Sequence, residues 1–460
     1  LNSGIIDSDR PDARDDVLNQ NRFMYVTGDY AESRHIAEEV ILRWQTRPDS
    51  NDRSTLLARY HLGNALRALG HYADARELNL GTRQLTYDSP SVLHADKLRI
   101  ASIVAADHRI IGKFGLAREI DQANFDQART MLGPDDQTTL RFANNLAIDL
   151  RLGGDYTAAR SLDEETLRRQ KELQLRQEPE AIPEIPMTFP SAFNSECNVV
   201  RDMYGMGEFK SALDRLEELI PELARPLPFL LRLQMQRDQA ILLRHTGSLD
   251  RALEKAREVY GDCLGRLGSK HELTMAAATT LLNSLQACGD HEAAQLIGIA
   301  AHETYMDVLG SQHPFTLACA IDLAVVYRAL GQTQTAFDID VHAQQHLNSM
   351  LGRRHPYALV CAANLANDFA LTNRPVTAHQ QSASAYRDLV TVLGTTHPNT
   401  LLCGANLAID LEAVHRKKRA DLLRASISET FRETFGADHP EFIGIENRRR
   451  TEATIEVPPS

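Results

Sequence analysis

"LGSQHPFTLACAIDLAVVYRALGQTQTA" (309–336) is followed by "LGRRHPYALVCAANLANDFALTNRPVTA" (351–378) and then by "LGTTHPNTLLCGANLAIDLEAVHRKKRA" (393–420). Each copy starts 42 residues after the last, and His-Pro recurs at His313, His355, His397 and His439. Within a copy, apolar residues at i, i+3, i+4 and i+7 mark an amphipathic helix. A Gly-centred break ends that helix, because glycine accepts the left-handed conformation of a helix stop. A second amphipathic helix follows, so one copy predicts one helical hairpin.

Aligning on the break gives Gly28, Gly70, Gly112 and Gly154, then Gly207 and Gly247, then Gly289, Gly331, Asn373 and His415. Ten hairpins are expected. In "LG..HP" the Gly closes one unit, and Pro opens the next at the first helical position, where its missing N–H costs nothing. The four histidines belong to four different units, too far apart to share a metal; a capping or packing role at the joint follows. The small residue after each turn (Ala159, Ala252, Ala336, Ala420 among them) lets the paired helices approach closely. One hairpin exposes too much apolar surface to stand alone, and stacking buries it. The fold class expected is therefore all-α: a right-handed α-α superhelix, a TPR-like solenoid of about ten hairpins.

The register predicts the boundaries. Residues 1–14 are polar and read as a flexible segment; 15–175 hold units one to four. Four prolines in "QEPEAIPEIPMTFP" forbid a continuous helix, so 176–190 reads as an inserted loop. Units five to ten occupy 191–438, an Arg-rich capping helix 439–452, and a tail 453–460.

The 460 residues carry a net charge of −12, which argues against nonspecific nucleic-acid binding through bulk charge. No apolar run reaches the ~18 residues of a membrane span, and no signal peptide opens the chain. A cytoplasmic location is expected. Cys319, Cys361 and Cys403 share one slot of successive units, spaced about 10 Å apart by helix packing. That exceeds the reach of a disulfide, so they read as buried fillers. No Walker A, HExxH, GxSxG or CxxC pattern is present; no cofactor, metal or catalytic role is expected.

The first helix of each unit should line the concave side. Nine residues before the turn stand Asn145, Asn198, Asn364 and Asn406; six before stand Asn64, Arg201, Asn283 and Asn367. Three before stand Arg67, Arg109, Arg151, Arg244 and Arg328; Arg99 and Arg141 lie thirteen before, and Asn144 adjoins Asn145. Asparagine offers both donor and acceptor to an extended backbone. Arginine suits a carboxylate, whose two oxygens match its fork. The expected function is non-catalytic recognition of an extended peptide in this Asn/Arg groove, with an anionic group met in units two to six. The alternative is a spacing or oligomerisation scaffold for an attached NTPase or effector domain.

"LGPDDQTTLRFANNLAIDLRLGGDYTAARSLDEETL" and "LGTTHPNTLLCGANLAID" resemble the kinesin-light-chain type of tetratricopeptide repeat. "NNLAIDL", "LDEETL", the "LGxxHPxTL" joint and the Arg-rich helix before "TIEVPPS" resemble the C-terminal region of the actinobacterial FxSxx-COOH system tetratricopeptide-repeat proteins. That resemblance implies a signalling protein with an NTP-binding region ahead of the repeats and a companion peptide ending in a free carboxylate.

Overall fold

All ten turn residues have positive φ, from 58° at Asn373 to 90° at Gly28. At Gly154 the Gly154 N–H donates to Arg151 O (3.0 Å) and the Asp155 N–H to Leu150 O (2.9 Å), the bond pair that closes a helix end. This computed structural model describes residues 6, 10–45, 52–88, 92–176, 191–221 and 228–458. Most of the Pro-rich stretch (177–190) and of the N-terminal segment (1–5 and 7–9) lies outside the described residues.

The described residues form twenty-one helices and no strand. The first helices of the hairpins are α1 (Pro11–Thr27), α3 (Arg53–Ala68), α5 (His94–Ile110), α7 (Gln137–Leu152), α9 (Ser191–Gly205), α11 (Phe229–His245), α13 (Glu272–Ala287), α15 (Pro314–Ala329), α17 (Pro356–Leu371) and α19 (Pro398–Ala413). Their partners are α2 (Tyr30–Trp44), α4 (Tyr72–Asp88), α6 (Phe114–Leu132), α8 (Tyr156–Arg176), α10 (Phe209–Leu219), α12 (Leu249–Leu267), α14 (His291–Leu309), α16 (Thr333–Met350), α18 (Pro375–Leu393) and α20 (Lys417–Phe435). A last short helix, α21, covers Pro440–Glu446. It ends earlier than the sequence predicts, because Arg448 turns left-handed (φ 55°) and the Arg449 N–H closes onto Gly444 O.

Two compact units divide the chain, one of residues 1–199 with 221–233, the other of 200–220 with 234–459. Within each, consecutive helices pack in order, and first helices also touch the first helix of the next hairpin. The core sits around the first helices. Nearly all of α15 is buried, whereas α16 buries only Ala336, Asp340, Ala343 and Leu347. Ala336, Ala378 and Ala420, the small residues after the turn, are fully enclosed. Cys319, Cys361 and Cys403 are free and buried.

The joint histidines are helix caps. Nδ1 of His313, His355, His397 and His439 accepts the backbone N–H two residues on, at 3.1–3.2 Å. His271 does the same for Leu273 (3.0 Å) without a following proline.

Two glycines separate strain from crowding. Gly331 and Gly207 share a left-handed φ (76° and 78°). A Cβ on Gly331 would meet nothing within 4 Å, while one on Gly207 would lie 2.4 Å from Pro398 Cδ. Gly331→Ala is expected to cost about 1–2 kcal/mol, the left-handed penalty. Gly207→Ala adds overpacking of about 1–3 kcal/mol, so chemical denaturation should rank it clearly lower.

Candidate peptide groove

The arginine column faces carboxylates from its own chain. In the first unit Arg109 Nη1 lies 3.2 Å from Asp121 and 3.4 Å from Asp149. Arg151 meets Asp163 (2.9 Å) and the Asn198 carbonyl (3.3 Å), and Arg67 meets Asp107 (3.3 Å) and Asn64 (2.6 Å). In the second unit Arg328 meets Asp340 (2.7 Å) and Asp368 (3.0 Å). Arg109 and Arg328 each meet one Asp twelve residues ahead, on the second helix of the hairpin, and one forty ahead, on the next first helix; Arg151 meets the first of these positions, and Arg67 the second. Arg201 pairs instead with Asp238 (2.8 Å) and Gln234. Arg109 and Arg151, expected to face a ligand carboxylate, thus sit buried in ion pairs that tie neighbouring helices together. Burial, partly offset by Arg109, pushes Asp149 up to about 8.

Arg99 and Arg141 are arranged differently. They line a cavity of about 420 Å³ in the first unit, together with Asn19, Arg22, Tyr60, His61 and Asn64. Arg99 is 3.6 Å from Asp96, which Arg53 holds at 2.7 Å. Arg141 lies over the Phe142 ring at 5.4 Å. Burial, with Arg99 and Arg22 nearby, pushes His61 down to about 3. Asn144 accepts the Ser195 hydroxyl (3.0 Å), and Asn145 is half-buried.

In the second unit the asparagine column holds a peptide segment, residues 451–457 of the chain itself. Asn406 Nδ2 donates to Thr451 O (2.8 Å) while its Oδ1 accepts the Thr451 N–H (2.9 Å). Asn364 repeats the pair on Ala453 (2.8 and 3.2 Å). Asp322, at the same position one unit earlier, accepts the Ile455 N–H (2.8 Å). Asn367 adds a bond to Thr451 O (2.9 Å). Each repeat therefore reads every second residue, the period of an extended strand. Thr451, Ala453, Ile455 and Val457 are buried, with 452 and 454 less so.

Two carboxylates on this segment meet the remaining arginines. Glu456, only 2% exposed at its side chain, lies 2.6 Å from Arg244 and 3.0 Å from Arg237. Thr280 (2.8 Å) and Asn283 (3.1 Å) donate to it as well. Burial raises the Glu456 carboxyl, but Arg244 and Arg237 outweigh it and hold the group below the usual range. Glu452 reaches Arg328 at 3.0 Å. The residues chosen from the sequence columns include Asn283, Arg244, Arg328, Asn364, Asn367 and Asn406; Thr280 and Asp322 stand nine before their turns but are not among those chosen, and Arg237 lies outside the columns. They also read 453–460 as a tail. The alternation of buried and polar residues in "TEATIEV" is the available sign of an extended segment with one face covered.

Among the described residues no group of His, Cys, Asp and Glu could hold a metal, and no helix is long and apolar enough to cross a membrane.

Comparison with known proteins agrees with the helical-repeat fold. Two tetratricopeptide-repeat family models match, over residues 274–345 and 139–173. Among solved structures, a Rap protein complexed with competence and sporulation factor is similar over 77% of this chain and 98% of its own, at 10% identity and a TM-score of 0.52. A putative kinesin light chain with nearly identical TPR-like repeats from Podosopora anserina matches 44% of this chain and 96% of its own, at 23% identity and a TM-score of 0.36. A search of curated proteins finds no match. The described residues form an all-helical, tetratricopeptide-like array of about ten hairpins; tetratricopeptide repeats are an architecture of protein–protein interaction modules.

Proposed function

We propose that the chain is a peptide-recognition module, the sensor arm of a larger signalling protein, which takes an extended segment along its first helices. The observation that carries this is the double pairing of Asn364 and Asn406 with the backbone of residues 451–453. A side-chain amide that satisfies both the N–H and the C=O of one residue recognises main chain whatever the sequence, which is the chemistry of strand capture. The Rap protein of similar fold is complexed with competence and sporulation factor, in keeping with this reading. In the first unit the acidic contact is assigned to Arg141, beside Arg99 in the cavity, since Arg109, Arg151 and Arg99 already have carboxylate partners.

The test uses the 460-residue chain carrying Glu456→Arg, which sets a third cation against Arg237 and Arg244 and so disfavours the bound segment. A labelled synthetic peptide TEATIEVP is expected to bind it in fluorescence polarisation. Asn364→Ala or Asn406→Ala in that background removes two backbone bonds of about 0.5–1.5 kcal/mol each, so each should weaken binding about tenfold. Binding unchanged in both would remove the asparagine ladder from the reading.

A further inference from the structure

Residues 451–457 have the contacts of a ligand rather than of a core element. Among the described residues they form no helix or strand, and side chains of three successive hairpins satisfy their backbone. Their charged anchors lie far away in sequence, with Arg237 and Glu456 219 residues apart. Without Glu456, Arg237 and Arg244 would be buried cations lacking that carboxylate, a costly arrangement. The groove is thus built around an acid at this point, whichever chain supplies it. A second acid, Glu452, stands four residues earlier against Arg328.

We propose that the groove of the second unit is an exchangeable site for an extended acidic peptide, and that residues 451–457 are its built-in competitor. The partner segment carries two acidic residues four positions apart, with small or β-branched residues between them. The acids meet Arg328 and the Arg237–Arg244 pair, and Asn406, Asn364 and Asp322 take its backbone. Exchange need not open a helix, because the segment leaves α21 at Arg448 and has no described element of its own to unfold. A tethered competitor acts at millimolar effective concentration, so a free peptide binds only when it outcompetes the tether or when the tether is weakened. This rests on the peptide reading of the groove.

The experiment compares the wild-type and Glu456→Arg forms of the 460-residue chain. Both are titrated with labelled TEATIEVP and with the same peptide carrying Lys in place of its second Glu, while hydrogen exchange follows the amides of Ala453 and Ile455. Release of the tether should raise the affinity of the acidic peptide at least tenfold in Glu456→Arg. The Lys peptide should bind neither chain, and the two amides should exchange faster in the variant. Glu456→Gln, which removes charge without adding repulsion, should fall between. Equal affinity in the wild type and both variants would overturn the competition while leaving the groove a peptide site. No binding to any chain, despite free exchange of Ala453 and Ile455, would overturn the peptide reading and the partner class with it. Loss of helical signal in both variants would make residues 451–457 part of the core and refute exchange.

Discussion

Arg328→Met is expected to destabilise the second unit by about 3–5 kcal/mol, the usual consequence of removing one partner from a buried ion cluster. The Arg328 side chain is 2% exposed, and Asp340 and Asp368 are fully enclosed. Burial opposes the charge on Arg328, but Glu452, Asp340 and Asp368 together hold its pKa well above the ordinary value. Removing the guanidinium strands two carboxyls that burial already pushes up. Because the two aspartates come from α16 and α17, the damage should spread across a hairpin boundary. Repeat arrays can unfold in parts, so hydrogen exchange of α15, α16 and α17 is the fitting measurement, beside urea denaturation. Arg67→Met is the contrast: its side chain is 17% exposed, Asp107 keeps the Asn79 amide as a donor at 2.8 Å, and the loss should be clearly smaller. If the two variants lose equal protection, the buried cluster is not what holds these helices. Replacing Arg328, Asp340 and Asp368 together with apolar residues should recover much of the loss, since no charge is then stranded within the set.

The same cluster explains what the sequence could and could not tell. The fold was legible because each unit carries its own punctuation. A left-handed turn needs Gly, or Asn and His as at positions 373 and 415, and the spacing of those residues is visible without any partner. The asparagines were legible as a column for the same reason. The arginines were visible too, but their role was not, because it depends on aspartates twelve and forty residues away. Only stacking brings those three positions together. The occupant of the second unit's groove was the least legible feature. Its contacts join residues such as Asn283 and Glu456, 173 apart, and the two-residue alternation of TEATIEV signals an extended segment but not those partners. A segment read as the end of a capping helix and the start of a tail has its alternating side chains covered by the very columns marked as a peptide groove.

Acid should unfold the array through its histidine caps before ordinary carboxylates are exhausted. Burial pushes both His271 and His397 down to about 4. Each Nδ1 must stay unprotonated to accept the N–H of residue 273 or 399. In the unfolded chain the same imidazoles take up protons near pH 6.5. Below that pH the unfolded state binds more protons than the folded one, so stability falls with pH and levels off near 4. A depression of this size corresponds to about 3 kcal/mol for each cap. Burial raises Asp149 to about 8 and Glu441 to about 7. For them the favoured form is the protonated one, so they lend stability as pH falls through the same range. The raw slope is therefore a difference, and the test must isolate one cap. His271→Asn does so, because asparagine is a strong N-cap acceptor that does not titrate. Urea denaturation of both proteins between pH 7 and 4 should show similar stability at pH 7 and a variant more stable by about 3 kcal/mol at pH 4. Parallel curves across the whole range would mean that His271 is neutral in neither state's favour, and that the joint histidines cap their helices without making the array sensitive to acid.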